Sequence, residues 1–296
     1  WGFTAILGKL ITLPALPLVW WRMLLVAVLL ALVPRVWRGV RAISPRLRWA
    51  YAGIGALVSL HWLTFYAAIK LSNASVAATC MALGTVFTAL IEPRLTGRRL
   101  SLRELALGVA VLPGVALVAG GLPSGMQVGV AVGTLSAMFV ALFASLTTRL
   151  VEHADPLSVT ALEMGAGAVA LTLLAPVSGL LSPAFGGNPF VLPAAQDALW
   201  LLTLAIACTL LPFALFLVAL RRMSAFAAQL SINLEPVYAI ALAVVLLNEQ
   251  QELTPTFYLG VAIILAVVLV YPLLLRPRRI AHPELAATGE AKALGE

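Results

Sequence analysis

Charge is what this chain has least of. Charged side chains make up 10% of its 296 residues, against about a quarter in ordinary soluble domains. With 62% apolar residues and a mean hydropathy of +1.03, that scarcity excludes a water-soluble globular fold. Cysteine is nearly missing too. Cys80 and Cys208 each sit mid-way along an apolar run, so they read as reduced packing residues, and neither a disulfide nor a metal site is expected. His61, His153 and His282 are the only histidines and lie too far apart in the topology to converge. No HExxH, no aspartate-rich pair and no P-loop occurs, which argues against a membrane enzyme or an ATP-driven pump and leaves no cofactor to expect. A selectivity-filter sequence is also lacking, which disfavours a channel. Alternating ten-residue segments, the mark of a membrane β-barrel, are absent.

What the chain has instead is long apolar runs. A helix rises ~1.5 Å per residue and the bilayer core is ~30 Å thick, so a crossing takes about twenty apolar residues. Ten segments qualify or nearly so, at 1 to 12, 15 to 34, 49 to 69, 72 to 92, 103 to 120, 126 to 148, 156 to 180, 198 to 220, 224 to 247 and 255 to 275. The first is too short to cross. Because the sequence opens at Trp1 and not at Met, helix 1 is expected to start before it, with a signal peptide neither shown nor excluded.

Basic residues gather at alternate loops. Arg35, Arg38, Arg41, Arg46 and Arg48 lie on one side, with Arg94, Arg98, Arg99, Arg103, Arg149, Arg221, Arg222, Arg276, Arg278 and Arg279, while the other ends carry little beyond Lys70. Short loops rich in Lys and Arg stay cytoplasmic, so both termini are expected there. The net charge of +7 follows from this pattern without any nucleic-acid partner. After Arg279 the composition turns small and polar, and 277–296 is expected to be a disordered cytoplasmic tail.

One helical pattern is written twice. Phe65, Ala68, Ala74, Ala77, Leu83, Val86 and Leu95 recur 151 positions later as Phe216, Ala219, Ala225, Ala228, Leu234, Val237 and Leu246, with Lys70 against Arg221 and Phe87 against Tyr238. After a one-residue slip Gly108 meets Gly260. Five segments per copy make the second copy enter from the opposite side. The fold expected is therefore an all-α integral membrane protein of ten transmembrane helices, built as two inverted five-helix repeats with a substrate site between them near the midplane.

Ionisable groups inside a membrane cost from ~2.5 kcal/mol upward and are the default functional candidates. Glu235, in NLEPVY, lies about eleven residues into helix 9 and precedes Pro236, which removes a backbone donor and frees carbonyls. It reads as a protonatable carboxylate that meets a proton or an ammonium group, the plainer reading being a hydrogen bond that tethers the helix. On the same helix Ser231, Glu235 and Tyr238 form one stripe, and Gln229 with Asn233 another on the opposite side. Arg22 and Glu163 sit at comparable depth in helices 2 and 7, as a structural ion pair or as part of an anion site. His61, Trp62, Phe65 and Tyr66 cluster in helix 3, where aromatics can stack on a substrate beside a proton-sensitive imidazole. The alternative for His61 is a structural bond to a carbonyl.

Paired stretches carry a family resemblance. PVYAIALAVVLLNEQQEL followed by FYLGVAIILAVVL, and TVFTALIEPRLTGRRLSL followed by ELALGVAVLPGVALV, resemble the twin EamA domains of the drug/metabolite transporter superfamily, as do WWRMLL around Arg22 and NLEPVY around Glu235. The second copy keeps the family's Pro and Glu as Pro236 and Glu249, where the first has Thr85 and Arg98. The resemblance implies a first EamA repeat at 1–122, a second at 123–276, and a multi-pass transporter of the bacterial inner membrane. It also implies a proton-coupled exporter of amino acids or similar small metabolites, working as a monomer or homodimer with no cofactor. Relatives include an aromatic amino acid exporter, which suits the helix 3 aromatics and a zwitterionic substrate. An uncoupled or uptake permease is the alternative. Glu235, His61, Trp62, Tyr66, Asn233, Arg22 and Glu163 are the residues expected to bind substrate or couple it to protons.

Overall fold

The computed structural model describes the backbone of residues 1–97, 99–232 and 234–274, with side chains over the same stretches except 151, 181, 229, 230 and 268–274. Asn233 and the tail expected at 277–296 lie outside the described residues. The described residues form helices joined by turns and loops, with no strand among them. In chain order the α-helices are α1 (Phe3–Leu10), α2 (Ala15–Ala31), α3 (Pro34–Ala42), α4 (Pro45–Leu71), α5 (Ala74–Cys80), α6 (Leu83–Thr96) and α7 (Leu102–Gly120), followed by α8 (Gln127–Leu150), α9 (Pro156–Leu181), α10 (Ala195–Ala205), α11 (Leu211–Leu220), α12 (Ala225–Ile232), α13 (Glu235–Leu247) and α14 (Pro255–Leu274).

Six stretches are long and apolar enough to cross a membrane: Pro45–Leu71, Ala74–Thr96, Leu102–Gly120, Ser124–Leu150, Pro156–Leu180 and Ala195–Leu220. A seventh is reached if α2 and α3, bent by 97° at Leu32–Val33, count together. The chain is thus a multi-pass membrane protein.

Local chemistry sets the helix ends. Ser44, Asn73, Ser101 and Asp155 each accept a backbone N–H of the first turn through the side chain, and Pro45 and Pro156 open α4 and α9 where no donor is needed. α6 closes at Gly97 (φ 72°) and α13 at Asn248 (φ 55°), both left-handed and 151 positions apart.

Two apolar stretches are broken at matching places. α5 gives way to α6 at Met81–Ala82, and α12 to α13 just before Glu235. Just after the second break stands Pro236, which withholds one backbone donor. The first has no proline; there the backbone tightens into i to i−3 bonds (Met81 to Ala78, Ala82 to Thr79, Gly84 to Met81), and the hydroxyls of Thr79 and Thr88 return to the Ser75 and Gly84 carbonyls at 2.7 Å. α5 packs on α13 and α6 on α12, so the broken helices run side by side. α2 packs on α9, and α7 on α14. In that last pair a Cβ on Gly114 would fall 2.7 Å from the Gly260 carbonyl oxygen, and one on Gly260 would strike the Gly114 carbonyl, so only glycine admits this approach.

Candidate functional site

The site forms around Arg22, which is wholly buried on α2. Its Nε donates to Thr209 Oγ1 (2.6 Å), one terminal nitrogen to the Tyr66 hydroxyl (3.1 Å) and the other to the Cys208 carbonyl (3.4 Å). The guanidinium carbon lies 3.7 Å from the centre of the Trp62 ring, a cation–π stack. The acceptors exist because of a local irregularity. Between α10 and α11 residues Ile206–Leu210 form one π-helical turn, in which Thr209 Oγ1 also donates to the Leu204 carbonyl. Pro212, four residues beyond Cys208, has no N–H to offer that carbonyl in an α-helical bond, so it remains for Arg22.

Arg22 opens onto a cavity of about 60 Å³, room for a few waters, lined also by Thr4, His61, Trp62, Phe65 and Glu235. Phe143, Phe213 and Phe216 from α8 and α11 complete its aromatic side. Trp62 meets Phe213 edge-on with ring centres 6.1 Å apart, and Phe213 and Phe216 stand 6.4 Å apart, so the rings form one packed wall. Glu235 is the first residue of α13, where the positive end of the helix dipole favours its carboxylate. The Thr4 hydroxyl is buried on the cavity wall without a partner among the described residues.

His61 is tied to α8. Its Nδ1 lies 3.0 Å from the Ser136 carbonyl and 2.8 Å from Ser136 Oγ, while that hydroxyl donates to the His61 carbonyl at 2.8 Å. The single hydroxyl proton is thereby used, so the network assigns the imidazole proton to Nδ1 and leaves Nε2 as an acceptor. The carbonyl bond considered from sequence is present, and the ring lines the cavity as well.

Of the residues expected to act, Arg22, His61, Trp62 and Glu235 therefore share one cavity wall, with Tyr66 behind Arg22. Glu163 stands apart. It is fully buried where α9 presses on α4, so closely that a Cβ on Gly55 would collide with the Glu163 backbone, and neither carboxylate oxygen has a hydrogen-bond partner among the described residues. No ion pair joins it to Arg22, because Thr209, Tyr66 and the Cys208 carbonyl on other helices take the guanidinium. Nor does the Ser231, Glu235, Tyr238 stripe hold. The break before Glu235 re-aims α13, leaving Ser231 exposed, Glu235 on the cavity and Tyr238 62% exposed.

Two features of the site are hard to see in the sequence. The first is the Thr209–Cys208 acceptor pair; its signal was Pro212 within an otherwise unbroken apolar run. The second is Glu92, wholly inside the protein near the end of α6, whose carboxylate accepts the backbone N–H groups of Ala225 (3.0 Å) and Phe226 (2.9 Å). Glu249 does the same for Ala74 and Ser75 (3.0 Å each) and also accepts the Ser75 hydroxyl (2.7 Å). Residues 74 and 75 are the 151-shift equivalents of 225 and 226, so each copy caps the other's broken helix at the same turn. The glutamate that the first copy lacks at Arg98 is supplied by Glu92, six residues earlier.

Comparison with known proteins decides the class. A sequence model of the EamA-like transporter family matches residues 1–120 and again 127–272. The chain belongs to the EamA-like transporter family. It is thus a membrane transporter of the drug/metabolite superfamily with two EamA repeats. No curated protein matches it in sequence. One solved structure, described only as a crystal structure of a protein, shares its fold with a TM-score of 0.62 at 19% identity, covering 93% of this chain and 96% of that one.

Proposed function

We propose that this EamA transporter exports amino acids or similar small zwitterionic metabolites in exchange for protons. In this reading the ten apolar stretches are ten crossings of a bacterial inner membrane, arranged as two inverted repeats with both termini cytoplasmic, and the two repeats rock about the cavity in alternating access. The observation that carries it is the placement of Arg22 and Glu235 on the walls of one aromatic cavity.

Three of the five guanidinium N–H donors of Arg22 are engaged by protein, which leaves two, the number a bidentate carboxylate takes. A substrate ammonium group pairs with Glu235, Thr4 Oγ1 offers a further polar contact, and the apolar part of the substrate packs on Phe65, Phe213 and Phe216. Glu235 alternates between the ammonium group and a proton, so that one leaves as the other binds, which couples the two flows. A space of 60 Å³ admits no amino acid, so loading requires the walls to part. The carboxylate caps of Glu92 and Glu249 join the two repeats and are the contacts that such parting must loosen.

Reconstitution of the full chain in liposomes under an imposed pH gradient, with a panel of labelled amino acids and an internal pH dye, tests this. Substrate flux with matching proton movement is expected, and Glu235→Gln is expected to abolish the coupled movement while the protein stays folded. Flux from the wild type without proton movement would make it a facilitator, and full gradient-driven transport by Glu235→Gln would remove that residue from the mechanism.

A further inference from the structure

We propose that the elbow between α2 and α3 is a binding site for one anionic phospholipid, with the phosphate on Arg38 and Arg41 and an acyl chain in the groove alongside. The first observation is the elbow itself. α3 leaves α2 at 97° and is split lengthwise by chemistry: Val36 is buried and Val40 half-buried, while Arg35, Arg38 and Arg41 are exposed. If α2 crosses the bilayer, a helix turned through that angle lies along its surface. It packs against α9 there. Ser158 on α9 donates its hydroxyl to the Val36 carbonyl at 3.4 Å, and a Cβ on Gly39 would strike the same Ser158 side chain.

The second observation is that two concavities meet at this elbow. One, of about 410 Å³, is lined by Pro34, Trp37, Arg38 and Arg41 together with Ala31 and Leu32. The other, of about 400 Å³, is purely apolar and runs between α2, α3 and α9 past Val28, Val40, Leu162, Gly165 and Val169. Both are lined by Ala31 and Trp37, so they adjoin at those two residues. The Trp37 indole N–H donates to the Ala31 carbonyl at 2.7 Å, which pins the ring at the junction, the depth where indoles favour the membrane interface.

The third is charge. Among the described residues Arg35 reaches Asp155 only at 4.0 Å, with both side chains partly or mostly exposed, and no ion-pair partner serves Arg38 or Arg41. α3 itself contains no acid, and Arg46 and Arg48 follow at the start of α4. Any lipid-facing groove is covered by hydrocarbon. This one ends at two cations, spaced one helical turn apart, that have no ion pair among the described residues, which selects a chain that carries a phosphate and a net negative charge.

The test uses the full chain purified in detergent, exposed to equal amounts of phosphatidylglycerol and phosphatidylcholine, with retained lipid read by native mass spectrometry. The wild type is expected to retain phosphatidylglycerol preferentially. Arg38→Gln with Arg41→Gln is expected to lower that retention by roughly 30-fold, while the matched pair Arg99→Gln with Arg103→Gln leaves it unchanged. Gly165→Leu, at a position where a Cβ meets nothing within 4 Å, is expected to fill the groove and lower retention with every arginine in place. Equal loss in both arginine pairs would reduce the effect to bulk charge and overturn the site. So would full retention in the Arg38/Arg41 pair, or displacement of the lipid by millimolar glycerol phosphate with no effect of Gly165→Leu, which would mark a site for free phosphate. Circular dichroism of each variant separates loss of lipid from loss of fold.

Discussion

The two broken helices, α5/α6 and α12/α13, reach the same backbone shape from different sequences. In the first, breakage comes from tightened turns and threonine back-bonds, and the stretch Ala74–Val86 is buried throughout. In the second, Pro236 withholds one backbone donor beside the break, and α13 turns Tyr238, Val245 and Leu246 outward. Position 84 is glycine in one copy and its counterpart, 235, is glutamate in the other. Symmetry has been kept where it shapes the bundle and abandoned where it meets the cavity: the first copy contributes packing, the second a carboxylate.

The sharpest way to break that comparison is through the caps, which remain symmetric. Glu249→Ala strands two buried N–H groups and a hydroxyl, and Glu92→Ala strands two N–H groups; each is expected to cost about 3 kcal/mol of stability. Thermal unfolding in detergent checks this. Parallel losses, with the double variant no worse than additive, would show two independent ties of similar strength. A negligible loss at Glu92 would mean that only the second copy's glutamate matters.

A smaller effect is expected at the packing positions. Phe87 packs against the core while its counterpart Tyr238 is 62% exposed within the protein. Phe87→Ala is expected to cost about 2 to 3 kcal/mol and Tyr238→Ala no more than about 0.5 kcal/mol, by the same unfolding measurement. Equal costs would mean that the two copies bury their central helices alike.

The smallest effect is expected at the proline. Since the first copy breaks without one, Pro236→Ala should leave the α12/α13 break in place and change stability by less than about 1 kcal/mol. Amide exchange across residues 234–240 would report this; new protection there, with a continuous helix, would make the proline the sole cause of the break.

The helical content and the family could be read from the residues, because apolar length and a repeated pattern are written locally. Arg22, His61, Trp62 and Glu235 could be found too, since polar groups in apolar runs are conspicuous. Their partners could not. Thr209 and the Cys208 carbonyl matter only through a π-turn, which no periodicity announces, and Glu163 looks equivalent to Glu235 until the close approach of α4 at Gly55 removes it from the cavity. Glu92 was hidden by register: matching the copies position by position set Arg98 against Glu249, whereas the same task is done from a different turn of the helix.

The exchanged caps also bear on how the chain is made. The N–H groups of Ala74 and Ser75 find their acceptor about 175 residues downstream, which at ~5–20 residues per second is on the order of 10 to 35 s after they leave the ribosome. Ala225 and Phe226, by contrast, emerge with Glu92 already waiting 133 residues upstream. The second half finds its cap already made, and the first receives its own only in retrospect.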